Sequence, residues 1–428
     1  MKTVEMKYGT GSTNVSIPAE HLLSIIKNNP MNINGTEEEI ILNSLEKPVG
    51  TPKLREIVHP GEKICIVFSD ITRAWQKMST FIPYIVAELN QAGIKDEDIL
   101  FISSTGSHRG HTKEEHSWLL GADITSRCEI IDHDCLNEEN LVYLGTTSFG
   151  TPVSVNKRAM ECDHIVLTGA IVFHLLAGWG GGKKSVLPGI CSYNTIMTNH
   201  ALSLSPNVGE GSNPLVRSGN WVDNPLHEDM LEASSFVNPS FMLNVIVGAD
   251  GSICHAVSGH YVKAHEAGCQ VVQEMDGVEI QEKADLVIAS AGGYPKDINL
   301  YQTSKTLINA KEAVKDGGTI IILSQCIEGF GNDHVQEIIQ NYDTVVEREN
   351  ALREDFSIAK YIGYFVSEAA ERFNLILVSE MEQSLVERAN IRVVKTIEEA
   401  LTLTYKEMGK NLKTHLMPQG ANTLPQVK

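Results

Sequence analysis

Ile64-Cys65-Ile66-Val67-Phe68-Ser69-Asp70-Ile71-Thr72-Arg73 sets five apolar residues directly before a polar turn. A short apolar run closed by turn-forming residues reads as a strand buried on both faces of a sheet. Ile99-Leu100-Phe101-Ile102 and Ile165-Val166-Leu167 repeat the pattern in the first part of the chain. Leu286-Val287-Ile288-Ala289, Thr319-Ile320-Ile321-Ile322-Leu323 and Leu375-Ile376-Leu377-Val378 repeat it in the last part. Amphipathic helical stretches lie between these runs, and strand alternating with helix predicts an α/β fold of mostly parallel sheets flanked by helices.

With 428 residues, 42% of them hydrophobic, the chain exceeds the roughly 250–300 residues at which one core stops growing. Two domains are therefore expected, 1–275 and 276–428, each with its own sheet. The boundary falls where Glu266–Glu282 turns helical and charged before a fresh strand, and the C-terminal tail is free to pack back on the first domain. From Asn207 to Pro225 the chain is rich in Gly, Asn, Ser and Pro, and a loop that long in a compact domain favours a functional role.

Charge narrows the partners. Lys and Arg number 35 against 54 Asp and Glu, a net −19, which repels phosphate backbones and anionic lipid and speaks against nucleic acid and membranes. The opening MKTVEMKYGTG has no apolar leader, and no run approaches the roughly 18 apolar residues of a membrane helix. Eight scattered cysteines without a C-x-x-C pair fit a reducing compartment, so a cytoplasmic protein is expected.

In α/β sheets ligands bind beyond the carboxyl ends of the strands. Three ends carry reactive side chains: Ser69-Asp70-Ile71-Thr72-Arg73, Ser104-Thr105-Gly106-Ser107-His108-Arg109, and Thr168-Gly169-Ala170-Ile171-Val172-Phe173-His174. Singly, each has a plain structural reading. Asp70 suits a helix N-cap, Arg73 and His108 suit a solvated surface, and His174 in its apolar run suits a core. Their joint occurrence at successive ends is what points to a site. His108-Arg109-Gly110-His111 with His116 could suggest a metal hydrolase, but the spacing is not an i,i+4 helical pair and no Glu accompanies it.

Ala177-Gly178-Trp179-Gly180-Gly181-Gly182-Lys183-Lys184-Ser185-Val186-Leu187-Pro188-Gly189 is the most distinctive segment. A glycine-rich turn opening a helix suits a phosphate, and a phosphate- or nucleotide-binding enzyme is one reading. The P-loop register fails, because a motif lysine at Lys183 would put Ala177 at the first glycine and Lys184 at the hydroxyl position.

Continued through Ile190–His200, this segment resembles the nickel-pincer lactate racemase family. Its K-S-V-L-P-G run and Asn199-His200 pair match the family pattern. So do S-D-x-T-R at Ser69–Arg73, the turn Gly106–Arg109, and Gly292-Gly293-Tyr294-Pro295 with Tyr301-Gln302, in order over nearly the whole chain. The resemblance implies a racemase or epimerase that inverts C2 of a small 2-hydroxy acid through a 2-keto acid, in a cleft between the domains. It implies nickel held in a pincer nucleotide, pyridinium-3,5-bisthiocarboxylic acid mononucleotide, covalently tethered to Lys184, with His200 as metal ligand. Enzymes that make this cofactor are implied as partners.

The resemblance further implies that His108 and His174 are catalytic bases and that Arg73 binds the substrate carboxylate. Asp70 orients its neighbours near the cofactor, while Gly181, Gly182 and Ser185 contact it. Tyr301, Gln302 and Lys305 bind substrate, and Gln302 and Lys305 are also catalytic, reaching the substrate or its oxyanion. Ile71, Ala74 and Trp75 depart from the family pattern after the aspartate, and Leu175-Leu176 replace an aromatic pair after the histidine. The substrate is thus open among lactate, malate, longer aliphatic, phenyl-substituted and sugar acids, and the oligomeric state is open too. A non-catalytic carrier or store of the cofactor would need Lys184 and His200 but neither His108 nor His174.

Overall fold

The computed structural model describes residues 1–31, Ile33 and 35–428. The chain forms two compact units, and each holds a six-stranded sheet. One comprises Met31–Leu202 and Leu215–Gln273, the other Met1–Pro30, Ser203–Pro214 and Glu274–Lys428. The division is thus not the contiguous 1–275 and 276–428 read from sequence. The first 30 residues and part of the glycine-rich loop belong with the C-terminal sheet, and so does the tail, whose strand Leu424–Val427 pairs with Gly277–Ile280.

In the unit beginning at Met31 the sheet order is Ile253–Gly259, Phe241–Val247, His164–Ala170, Ile64–Ser69, Ile99–Ser104, Glu129–Asp132. All neighbours run parallel except Ile253–Gly259, which pairs antiparallel at the edge. The central strand is apolar along its length because helices cover both faces. Ile64, Ile66 and Phe68 share a core with Phe81, Ile82, Ile85 and Leu89 of the helix Met78–Gln91. Register decides the rest. Ser69 lies opposite Ser104, and Val67 opposite Leu167, so the loops leaving these three strands start at one level. The chain adds strands on one side of Ile64–Ser69 and then crosses to the other, which makes this edge the switch point of the sheet.

The other unit's sheet is parallel throughout, in the order Arg392–Val394, Asn374–Val378, Val314–Leu323, Ala284–Ser290, Thr414–Met417, Leu22–Ile25. The hairpin Lys2–Tyr8 with Gly11–Ile17 packs Val4, Met6, Val15 and Ile17 into its core. All eight cysteines are unpaired, and among the described residues no helix is long and apolar enough to cross a membrane.

Candidate active site

Asp70 occupies the step between the central strand and the short helix Ile71–Gln76. It does cap that helix, since Oδ1 accepts the Thr72 N–H at 2.7 Å. Its other oxygen, Oδ2, lies 2.8 Å from Nδ1 of His108. One carboxylate, 5% exposed, thus caps the helix and contacts His108 at once. Burial pushes the Asp70 pKa up, but the His108 contact, Thr72 and Arg73 outweigh it and hold the carboxyl below its usual range.

His108 hangs from the loop after Ile99–Ser104. Gly106 makes the loop's sharp bend at φ 56°, and the His108 N–H donates to Thr105 O at 2.9 Å. An ionised Asp70 can only accept, so Nδ1 of His108 carries the proton and Nε2 is left with a lone pair. The side chain is 47% exposed. Arg73 donates Nη1–H to Thr72 Oγ1 at 2.9 Å, and among the described residues no carboxylate forms an ion pair with it. Arg109, in contrast, is held by both oxygens of Glu115 at 2.6 and 2.8 Å.

His174 reaches the same level from the other flanking strand. Phe173–His174 pairs with Gly178–Trp179 in a tight hairpin, and a Cβ at Gly178 would sit 2.4 Å from Asn220 O, so the close approach requires glycine. The N–H groups of Leu176 and Ala177 both donate to His174 Nδ1 at 3.2 Å. Its neutral ring accordingly carries hydrogen on Nε2, the reverse of His108. Burial and then the charges of Lys184, His200 and Arg73 drive its pKa well below the usual histidine value.

Three N–H groups of the glycine-rich turn are already taken by protein acceptors. Gly180 donates to Val172 O at 2.7 Å, Gly182 to Asn244 Oδ1 at 2.7 Å and Lys184 to Gly181 O at 3.1 Å, while Ser185 Oγ donates to Thr168 O at 3.1 Å. What the turn does is aim two lysines. Lys183 is 1% exposed and its Nζ has no hydrogen-bond acceptor. Lys184 is half-buried, and burial, then Lys183 and Arg73, bring its amine down to about 7.

His200 sits in the last turn of the helix Tyr193–Ala201, which Ser192 caps by accepting the Thr195 N–H. Its Nδ1–H donates to Ile196 O at 2.9 Å, so Nε2 keeps its lone pair. Burial, then Lys184, lowers its pKa to about 3, and the ring stays neutral. Asn199 ties the helix down, donating to Leu226 O at 3.1 Å and to Asp229 Oδ2 at 2.8 Å. Thr147 and Thr151 complete the Asp229 carboxylate. This anchor was not foreseen, since nothing in its local sequence marks Asp229.

Arg73, Lys184, His174 and His200 thus act on one another electrostatically at the switch point, with Asp70 and His108 beside them. Tyr301, Gln302 and Lys305 belong to the other unit, on the helix Leu300–Ala310. Asn299 caps that helix, and Lys305 Nζ donates to Gln302 Oε1 at 2.6 Å. A further cluster, His111, His116 and Asp132, has ligand atoms within 4.8 Å of one another.

Two family models match the chain, the lactate racemase N-terminal domain over residues 8–211 and the lactate racemase C-terminal domain over 279–424. The lactate racemase of Thermoanaerobacterium thermosaccharolyticum is 30% identical over 435 residues, covering 100% of both chains. That of Lactiplantibacillus plantarum is 31% identical over 395 residues, 91% of each. The solved apoprotein of the Thermoanaerobacterium lactate racemase superposes with a TM-score of 0.90 over 99% of this chain and 100% of that one. A Thermotoga maritima protein of 20% identity gives a TM-score of 0.66 over 94% of this chain and 100% of its own, a likeness of fold alone.

Proposed function

The chain belongs to the lactate racemase family, and on that premise we propose that it inverts C2 of a small 2-hydroxy acid, with nickel and a pincer nucleotide tethered to Lys184. The observation that carries the reading is the placement of two oppositely wired imidazoles, His108 and His174, on the strands flanking the Asp70–Arg73 turn.

The donors present suit such a cofactor. An amine with a pKa of about 7 is about half neutral, and so nucleophilic, at neutral pH, which is what a covalent tether at Lys184 needs. His200 offers a neutral imidazole with Nε2 unprotonated, a nitrogen donor suited to nickel. Gly181, Gly182 and Ser185 serve by shape, fixing the backbone from which Lys184 projects. When bound, the group supplies a reversible acceptor for the C2 hydrogen as hydride, so that the substrate passes through a planar 2-keto acid.

The chain's own residues do the rest. Arg73, free of carboxylate partners, grips the substrate carboxylate through two N–H groups. His108 Nε2 takes the hydroxyl proton from one enantiomer, and Asp70 steadies the resulting imidazolium. His174 attends the opposite face. To act as a base it must move its proton from Nε2 to Nδ1 and release the Leu176 and Ala177 amides. Tyr301, Gln302 and Lys305 are assigned further substrate contacts.

The test is chiral chromatography of D- and L-2-hydroxy acids after incubation with protein made alongside cofactor-synthesis enzymes. Interconversion is expected, with nickel and a mass increase on the Lys184 peptide. His108→Ala and His174→Ala are expected to keep the nickel and lose the interconversion. Nickel loading without interconversion of any hydroxy acid by the unaltered protein would make it a carrier and defeat the proposal.

A further inference from the structure

The loop that delivers His108 carries a second histidine three residues on. The ring of His111 is 0% exposed, and its Nε2 accepts the N–H of Ile71 at 2.9 Å. A backbone N–H can only donate, so Nε2 holds a lone pair and the neutral ring bears its proton on Nδ1. That Nδ1–H points at Asp132 Oδ1, 2.7 Å away. Asp132 closes the strand Glu129–Asp132, and its other oxygen accepts the His111 N–H at 2.7 Å. His116 adds a third donor, Nε2–H to Oδ1 at 2.9 Å. Burial raises the Asp132 pKa, but these three contacts more than offset it and hold the carboxyl low.

The line Asp132, His111, Ile71 therefore crosses three adjacent strand ends. It runs beside the His108 to Asp70 contact, because Ile71 follows Asp70 directly and His111 follows His108 on one loop. Each loop is joined to the other twice. Resting on the function proposed above, the geometry points to His111, braced by Asp132 and His116, as a positioning residue that pins the Asp70–Arg73 turn to the His108 loop. Arg73 and Asp70 stand on a turn whose first amide is held by this ring. Loss of the ring removes one of the two ties that hold this turn to the His108 loop.

The same three side chains have the composition of a metal site, yet their wiring opposes one. An ion on His111 Nδ1 would need that lone pair, which forces the proton onto Nε2 against the Ile71 N–H, donor facing donor. A clamp satisfies every group; an ion strands two.

Long-range proton–nitrogen NMR on the cofactor-free full chain reads the clamp without reference to activity. His111 is expected as the neutral Nδ1–H form, and His111→Ala is expected to shift the His108 ring resonances. In loaded protein His111→Ala is expected to lower kcat/KM by about 100-fold, as misplacement of a positioned group does, with both kcat and KM affected. His111→Gln, whose amide can accept from Ile71 and donate to Asp132, should recover most of it. Should His111→Ala fail to fold, the tautomer in the unaltered protein still decides. A His111 protonated on Nε2, or His108 resonances indifferent to His111→Ala, would overturn the inference. So would stoichiometric zinc binding to the cofactor-free chain that His116→Ala abolishes. If the resonances move as expected while no hydroxy acid is interconverted, the clamp stands and the racemase reading falls.

Discussion

His108 and His174 leave strands on either side of one central strand, yet meet opposite surroundings. His108 is half-exposed, and a carboxylate draws its proton to Nδ1. His174 is half-buried, two backbone amides claim its Nδ1, and Lys184 and Arg73 bear on it as cations. An imidazolium is stabilised beside Asp70 and penalised beside Lys184. A reaction run in both directions over these two groups cannot be electrostatically symmetric. The comparison teaches that the two rings rest in opposite tautomers, so that under the proposed function one is a ready base and the other a hydrogen-bond donor.

The harshest challenge to that asymmetry removes each ring in turn. His108→Ala and His174→Ala should each cut racemisation by about 100-fold to 10,000-fold, the usual span for a lost acid–base group. In single turnover of loaded enzyme, each variant should still form 2-keto acid from one enantiomer, and the two should retain opposite enantiomers. Chiral substrates with a keto-acid trap measure this. Variants that treat both enantiomers alike would erase the distinction drawn between the rings.

Asp70→Asn comes next. The amide keeps the size of the side chain but cannot balance an imidazolium, and its NH2 can turn His108 Nδ1 into an acceptor. A loss of about 100-fold is expected for the enantiomer served by His108, and a smaller one for the other. The sign of the pH effect follows from the carboxyl's depressed pKa. The Asp70 anion adds stability that is present above the unfolded carboxyl value of about 3.9 and is lost as pH falls through the lower folded value. Urea denaturation over an acid series should show that slope in the parent and less of it in the variant.

How far the sequence foretold this arrangement depends on the range of each contact. The strand ends were readable because apolar runs such as Ile64–Phe68 and Ile99–Ile102 are local, and the polar residues after them fall where parallel sheets place ligands. Asp70 beside His108 follows from that rule plus in-register pairing of Ser69 with Ser104. The wiring of the rings was not readable. Which nitrogen of His174 is occupied depends on a hairpin of only two paired residues on each side, and the run Phe173–Ala177 looked like core. The glycine turn suggested a phosphate cradle, but Asn244, far along the chain, takes the Gly182 N–H. Unit membership failed for the same reason. Leu22–Ile25 joins the C-terminal sheet by pairing with Thr414–Met417, and no local pattern reports a partner so distant.

A third test touches the positive surroundings of His174. Lys183→Met removes the buried charge that ranks after burial among the causes lowering the Lys184 amine. Without it the Lys184 pKa rises above about 7, less free amine exists at neutral pH, and labelling by an acylating reagent should slow. Burial remains the larger cause, so the slowing should stay under about tenfold, the factor for one pKa unit. The rate of Lys184 acylation against pH, read by peptide mass spectrometry, gives the midpoint directly. An unmoved midpoint would mean that Lys183 does not act on the Lys184 amine.

The smallest effect should come from the arginine nearest His108 in sequence. Arg109 belongs to the same G-x-H-R turn, but its guanidinium is 65% exposed and occupied by Glu115. An exposed pair of this kind is screened by solvent and adds little to stability, and Arg109→Ala should leave kcat/KM nearly unchanged. Arg73→Ala, at the turn without a carboxylate partner, should raise KM steeply. Steady-state kinetics of the two variants side by side separate a cation that braces a loop from one left free to bind an anion. If Arg109→Ala proved as damaging as Arg73→Ala, the exposed side of the site would be as charge-dependent as the side around His174, and the contrast between the two histidines would lose its electrostatic basis.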